Sequence, residues 1–253
     1  MKNRPSILVT NDDGIFAPGI FSLWEAMAEI GDVTVVAPDT EKSAVGHAIT
    51  ITDPIRVEKV HRKNGFKGFA VKGTPADCVK IAGRSLMNTP PDLVISGINS
   101  GANVGSNIIY SGTVSAATEG TILGIPSIAI SLNSIKGGDM IASQKVAINV
   151  ATKVIANGLP EGILLNVNVP NIQVESIKGY RITKQGKLVF KDRFEKREDP
   201  RGKYYYWMKG EIINDTNSDT DGFALQNDFV SITPIHYQLT EESFLKTLKN
   251  WEF

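Results

Sequence analysis

An open α/β domain built on a mainly parallel sheet is the fold class this 253-residue chain predicts. Three observations carry that prediction. Short apolar runs at residues 7–9 (Ile-Leu-Val), 33–37 (Val-Thr-Val-Val-Ala) and 92–96 (Asp-Leu-Val-Ile-Ser) suit strands buried on both faces. The first two are separated by a helical pattern, so strand, helix and strand succeed each other within one βαβ unit, with a right-handed crossover. Each run then ends in a polar loop.

Between the first two runs, Ile20, Leu23, Trp24, Met27 and Ile30 share one helical face, Pro18 suits a first turn and Gly31 a stop. Residues 49–61 alternate roughly between apolar and polar, and Asn64-Gly65 is a hairpin turn before 66–71, which predicts an antiparallel excursion. Thr74, Pro75 and Asp77 begin a helix as cap, first-turn proline and dipole partner, with Val79, Ala82 and Leu86 inward. The third run exits through 97–107, whose glycines and asparagines permit close approach to a ligand. A helix opens at 110–113 (Tyr-Ser-Gly-Thr), and a strand at 127–131 follows. Near 142–156 a helix has Ala147, Val150, Val154 and Ile155 as its core stripe, and 163–169 is the last evident core strand.

Composition shifts from Tyr180 onward. Residues 184–203 are charged and contain the turn Asp199-Pro200-Arg201-Gly202, followed by Tyr204-Tyr205-Tyr206-Trp207, which predicts a projecting hairpin. Residues 230–234 read as a strand and 240–251 as a terminal helix with Phe244, Leu245 and Leu248 inward. The expected organisation is a single domain, core about 1–178, with arm and C-terminal segment about 179–253.

Charge and cysteine usage narrow the function. Lysine plus arginine and aspartate plus glutamate are equal at 27 each, so no basic field attracts a nucleic-acid polymer, and a small substrate is expected. The single Cys78 leaves no internal disulfide and no cysteine-rich zinc motif, which makes a reducing, cytoplasmic setting the simplest expectation. The first residues lead into a strand without a leader-like apolar region, and no run approaches membrane-spanning length.

The chemistry gathers where the strands end. Asn11-Asp12-Asp13-Gly14 follows the first run, Ser43 lies in the loop after the second, and Asn99 follows the third. Adjacent carboxylates repel; an Asx-type turn or a bound cation would each account for the pair. In an open α/β sheet these ends line one crevice, and Asp12, Asp13, Ser43 and Asn99 supply only hard oxygen donors, which suit Mg2+ or Mn2+. Asn11, Asn99, Asn103, Ser111, Gly112 and Thr113 are candidates to hold a phosphate, although Ser111 or Thr113 could simply cap a helix. No glycine-rich dinucleotide turn follows the first strand, which disfavours a dehydrogenase.

Four stretches carry a resemblance: Thr-Asn-Asp-Asp-Gly-Ile-Phe-Ala-Pro-Gly-Ile from Thr10, Gly-Thr-Pro-Ala-Asp-Cys-Val from Gly73, Ser-Gly-Ile-Asn-Ser-Gly-Ala-Asn from Ser96, and Tyr-Ser-Gly-Thr-Val-Ser-Ala-Ala-Thr-Glu-Gly from Tyr110. The chain resembles the stationary-phase survival protein (SurE) family of metal-dependent 5'/3'-nucleotidases over nearly its whole length. The resemblance implies a Rossmann-like three-layer core and one divalent cation per subunit at Asp12, Asp13, Ser43 and Asn99. It also implies release of phosphate from nucleoside monophosphates, with polyphosphate as a further substrate, and a homodimer or homotetramer that exchanges the arm or terminal segment. Asp12 or Asp13 would orient water activated at the cation or attack covalently, and His236 is a candidate proton donor. Two positions depart from the family pattern: Ala44 replaces a glycine after the ligand serine, and Gln238 replaces an aspartate. A nucleotide-binding protein without turnover is the competing expectation.

Overall fold

The three apolar runs become neighbouring parallel strands. In the computed structural model, which describes residues 4–134, 137–187, 189–213 and 216–252, β1 (Ser6–Thr10) lies between β2 (Asp32–Pro38) and the later β5 (Leu93–Ser100). β3 (Arg56–His61) and β4 (Lys67–Lys72) form the expected hairpin, and β4 joins the main sheet parallel to β2. β6 (Ser127–Asn133) and β7 (Ile163–Pro170) extend the sheet beyond β5. β8 (Tyr180–Ile182) and β11 (Val230–His236) complete nine strands in the order β3-β4-β2-β1-β5-β6-β7-β11-β8, with β11 antiparallel to β7. β9 (Val189–Glu198) and β10 (Tyr204–Ile213) form a separate antiparallel ribbon, the expected hairpin arm.

Alternation along the strands creates three layers. Ile7, Val9 and Ile95 face α1 (Pro18–Ile30) and α4 (Ile141–Asn157), whereas Leu8, Val36 and Val94 face α2 (Pro75–Ile81) and α3 (Gly112–Ile122). The short α5 (Asp221–Gln226) and α6 (Glu242–Leu248) follow the arm. The chain runs from β1 outward to β2 and β4, then returns to β5 on the other side, so the strand order reverses between β1 and β5. Open α/β sheets bind ligands outside the carboxyl ends of the strands at such a reversal.

Four expectations change. Residues 49–55 form no strand; the alternation there comes from a segment lying over the helices, with Ile49 and Ile51 exposed. β5 continues through Ser100, so Asn99 is paired in the sheet beside Ser131 rather than free in a loop. The apparent break at Gly97 is a register irregularity between Ser96 and Asn99. Phe244 and Leu245 of α6 are exposed rather than inward, and Phe244 instead meets Trp251 edge-on at 6.0 Å. Residues 1–3, at the start read as leaderless, and Leu188 in the arm lie outside the described residues. Among the described residues, no helix is long and apolar enough to cross a membrane.

Candidate metal and phosphate site

Asp12 and Asp13 leave β1 at the point of strand reversal. Asp12 is 4% exposed and pressed against α3: a Cβ added to Gly112 would lie 2.7 Å from the Asp12 Cβ and 2.9 Å from Oδ2. Only glycine lets the helix come this close. Thr113 donates its hydroxyl to Asp12 Oδ1 at 2.6 Å, and its amide also points to this carboxylate, which therefore sits at the positive end of the helix. Burial nevertheless wins and raises the Asp12 pKa above the ordinary 3.8. Asp13 is raised to about 6, first by burial and then by the charge of Asp12, while the Ser100 amide pulls it down.

The other candidate ligands are chain neighbours of groups bonded to this pair. Ser100, which contacts Asp13, follows Asn99, whose side-chain nitrogen donates to Gly101 O at 2.7 Å, so its oxygen is the atom suited to a cation. Lys42 donates its amide to the Asp12 carbonyl at 2.7 Å, which carries the next residue, Ser43, to the acid pair. Ser43 donates its hydroxyl proton to Glu41 at 2.7 Å, leaving the oxygen lone pairs for a cation. Glu41, missed from the sequence, adds a further negative charge that raises both aspartates. Its signal was its place two residues before Ser43 at a strand end.

A hard cation fits this arrangement. Two neighbouring carboxyls are raised in pKa with donors that do not offset their burial, the surrounding ligand candidates are oxygens, and the buried Asn11 Oδ1 has no hydrogen-bond partner. Among the described residues no three His, Cys, Asp or Glu side chains converge as a metal cluster, so an ion here relies on serine and amide oxygens as well as the acid pair.

The phosphate candidates divide. Asn11 braces the turn through Gly14 O at 3.0 Å, and Ser111 caps α3 by accepting from the Val114 amide at 3.1 Å. Thr113 serves Asp12, as described above. Asn103 is fixed inside the protein: its side-chain nitrogen donates to Ser131, its amide to Asn168, and its carbonyl accepts from Asn166 and Asn168. These bonds fix the four side chains, and Ser111, Gly112 and Thr113 form the N-terminal end of α3, the part suited to face an anion. The exit loop is tied down at its far end by Asp221, fully buried, which accepts from the Gly105, Gly186 and Gly222 amides at 2.9, 3.0 and 2.8 Å. Gln185 adds a bond to Gly105 O at 2.9 Å. His236 is not brought to the crevice. It pairs with Ile163, where β7 begins, so it lies at the opposite edge of the sheet from Asp12.

Fold and crevice together define a doubly wound α/β protein with an oxygen-lined acidic site beside a helix N-terminus, at the strand reversal where such sheets bind ligands. A family model described as survival protein SurE matches residues 7–192, and the chain belongs to that family. It is 52% identical to the 5'-nucleotidase SurE of Syntrophobacter fumaroxidans over 97% of this chain and 98% of that one. It is 46% identical to the 5'-nucleotidase SurE of Christiangramia forsetii over 99% and 98%. Its fold matches the crystal structure of the SurE protein from Aquifex aeolicus with a TM-score of 0.86 at 45% identity, covering 97% of this chain and 98% of that one.

Proposed function

We propose that this chain hydrolyses nucleoside 5'-monophosphates to nucleoside and phosphate at the Asp12/Asp13 crevice. The observation that carries the reading is the acid pair itself: two neighbouring carboxyls, both raised in pKa, at the strand reversal and beside the amino end of α3. Their names and lengths make the relatives consistent with it. Asp12, Asp13, Ser43 and Asn99 would hold one divalent cation, Mg2+ or Mn2+. When bound, that ion supplies charge neutralisation for the phosphoryl oxygens and Lewis acidity for the attack. Thr113 keeps Asp12 oriented, Ser100 does the same for Asp13, and Glu41 holds the Ser43 hydroxyl. The α3 N-terminus faces the phosphate. Within one chain, His236 takes no part.

The finer reading adds nucleoside 3'-monophosphates and polyphosphate as substrates, a cytoplasmic setting supported by the lone buried Cys78, and a homodimer or homotetramer. Assembly is supported by exposed apolar surface on the two appended elements: Phe194, Tyr204, Tyr206, Trp207 and Met208 on the arm, and Phe244 on α6. Phosphate release from 5'- and 3'-monophosphates and polyphosphate, with defined metals and with chelator, tests the reading. Release that stops with chelator is expected. Binding of nucleotides without any release would instead favour the competing regulatory role.

A further inference from the structure

Between β2 and β3, residues 39–55 carry Ser43 across the molecule without helix or strand, so bonds to other elements set their path. Lys42 is tied to the Asp12 carbonyl, and Gly46 donates its amide to Tyr110 O at 3.1 Å. Further on, Thr74 donates to Ala48 O at 2.7 Å, and Thr50 donates its amide and hydroxyl to Asp77 at 2.9 and 2.6 Å. Between these anchors is one made by a side chain of the loop. His47 Nε2 lies 2.9 Å from Glu119 Oε2, and Lys80 Nζ lies 2.6 Å from Glu119 Oε1.

Glu119 is 2% exposed, a position costly for a carboxylate unless it is paired. Burial would raise its pKa, but the bonds from His47 and Lys80 outweigh burial and hold it below the usual carboxylate range. Its place on the helix matters more. Glu119 follows Gly112 by seven residues, about two turns, so both lie on one face of α3 roughly 10 Å apart. Gly112 abuts Asp12 and Glu119 holds His47, so α3 spaces the acid pair from the loop. Ser43 and Ala44 are exposed, and among the described residues the Ser43 hydroxyl bonds only within its own loop, to Glu41. The position of Ser43 is thus inherited from the ties on either side of it.

We propose that His47, Glu119 and Lys80 are positioning residues that hold Ser43 within reach of the ion at the acid pair; the inference rests on the cation reading above. The test is Mn2+ binding to the substrate-free protein, followed by the electron paramagnetic resonance signal of free Mn2+, alongside KM and kcat at saturating Mn2+. His47→Ala is expected to weaken Mn2+ binding about tenfold, the loss typical when a group supporting a ligand is removed. Its kcat at saturating metal should stay within about twofold. His47→Gln, which restores an N–H donor at similar reach, should recover most of the affinity. Lys80→Met, at a half-exposed site, should weaken binding less than His47→Ala and provides a second variant independent of the loop. Wild-type affinity in both His47→Ala and Lys80→Met, or equal losses in His47→Ala and His47→Gln, overturns the clasp alone. No Mn2+ binding to the wild type, or binding untouched by Asp12→Asn, overturns the cation site and the clasp with it.

Discussion

Two sets of carboxylates in this protein, all buried except the half-buried Asp13, are built on opposite principles. Asp77 and Glu119 have their oxygens occupied: Asp77 by Thr50 and by Thr74 in a reciprocal helix cap, Glu119 by a histidine and a lysine. In both, burial pushes the pKa up, yet the donors win and the carboxyl stays below its ordinary value. Asp13 feels the charge of Asp12, both feel that of Glu41, and their donors do not compensate for burial. The first set stabilises the fold as it stands. The second is left uncompensated in the folded chain, as expected of groups whose partner arrives from solution.

The largest test of this contrast is Asp12→Asn. It should lower phosphate release by about 10²–10³-fold or more, comparable to loss of a principal electrostatic group, while raising the melting temperature of the chelator-treated protein. A lower melting temperature in that variant would place Asp12 with the fold-stabilising set. Asp77→Ala should behave oppositely, costing about 2–4 kcal/mol through the lost cap and the stranded Thr50 and Thr74 donors. In urea unfolding its midpoint should fall, while activity per folded molecule at saturating Mn2+ changes little, because Asp77 touches the Ser43 loop only through Thr50.

The two sets should also respond to pH with opposite sign. The folded protein holds the Asp13 proton up to about pH 6, whereas the unfolded chain releases it near 3.8. Its contribution therefore erodes stability as pH rises from about 4 to about 6 and is level above. Asp77 and Glu119, lowered on folding, contribute stability above their ordinary values that is lost as pH falls through their folded ones. With chelator present, the melting-temperature gain of Asp13→Asn over wild type should grow between pH 4 and 6 and then stay constant. A gain that shrinks over that range would contradict the assignment. Saturating Mn2+ should remove most of it.

The smallest effect concerns Ala44, which adopts φ 56°, a left-handed conformation that disfavours any Cβ. Ala44→Gly should relieve about 1 kcal/mol, offset in part by the greater freedom of glycine in the unfolded chain, and raise the melting temperature by a degree or two.

The core was readable in the sequence because each central strand announces itself in a few contiguous apolar residues, and strand-end polarity pointed to the crevice. The acid pair, Ser43 and Asn99 are proposed as ligands for the same reason: each lies within a few residues of a strand terminus. Contacts between distant segments were not. Nothing near Glu119 in sequence shows that it meets His47 and Lys80, and Glu41 looked like one charge in a solvated loop. His236 was misplaced because direction was unreadable: the apolar pattern of β11 shows a strand, but not that it runs against β7 and carries its end away from the site. Gly97 resembled the end of β5, whereas the strand passes through an irregularity and continues. The α6 stripe implied a buried face, but amphipathicity does not name the surface that receives it.

Asp221 sets a practical boundary for anyone wishing to trim or graft the ribbon. Its bracket joins the base of β9 to the loop leaving β5, using Gly186 from one side and Gly105 from the other. A deletion starting beyond Gly186 spares that bracket, whereas one that also takes Gln185 and Gly186 strips partners from Asp221 and Gly105 and disturbs the loop leaving β5 from a distance.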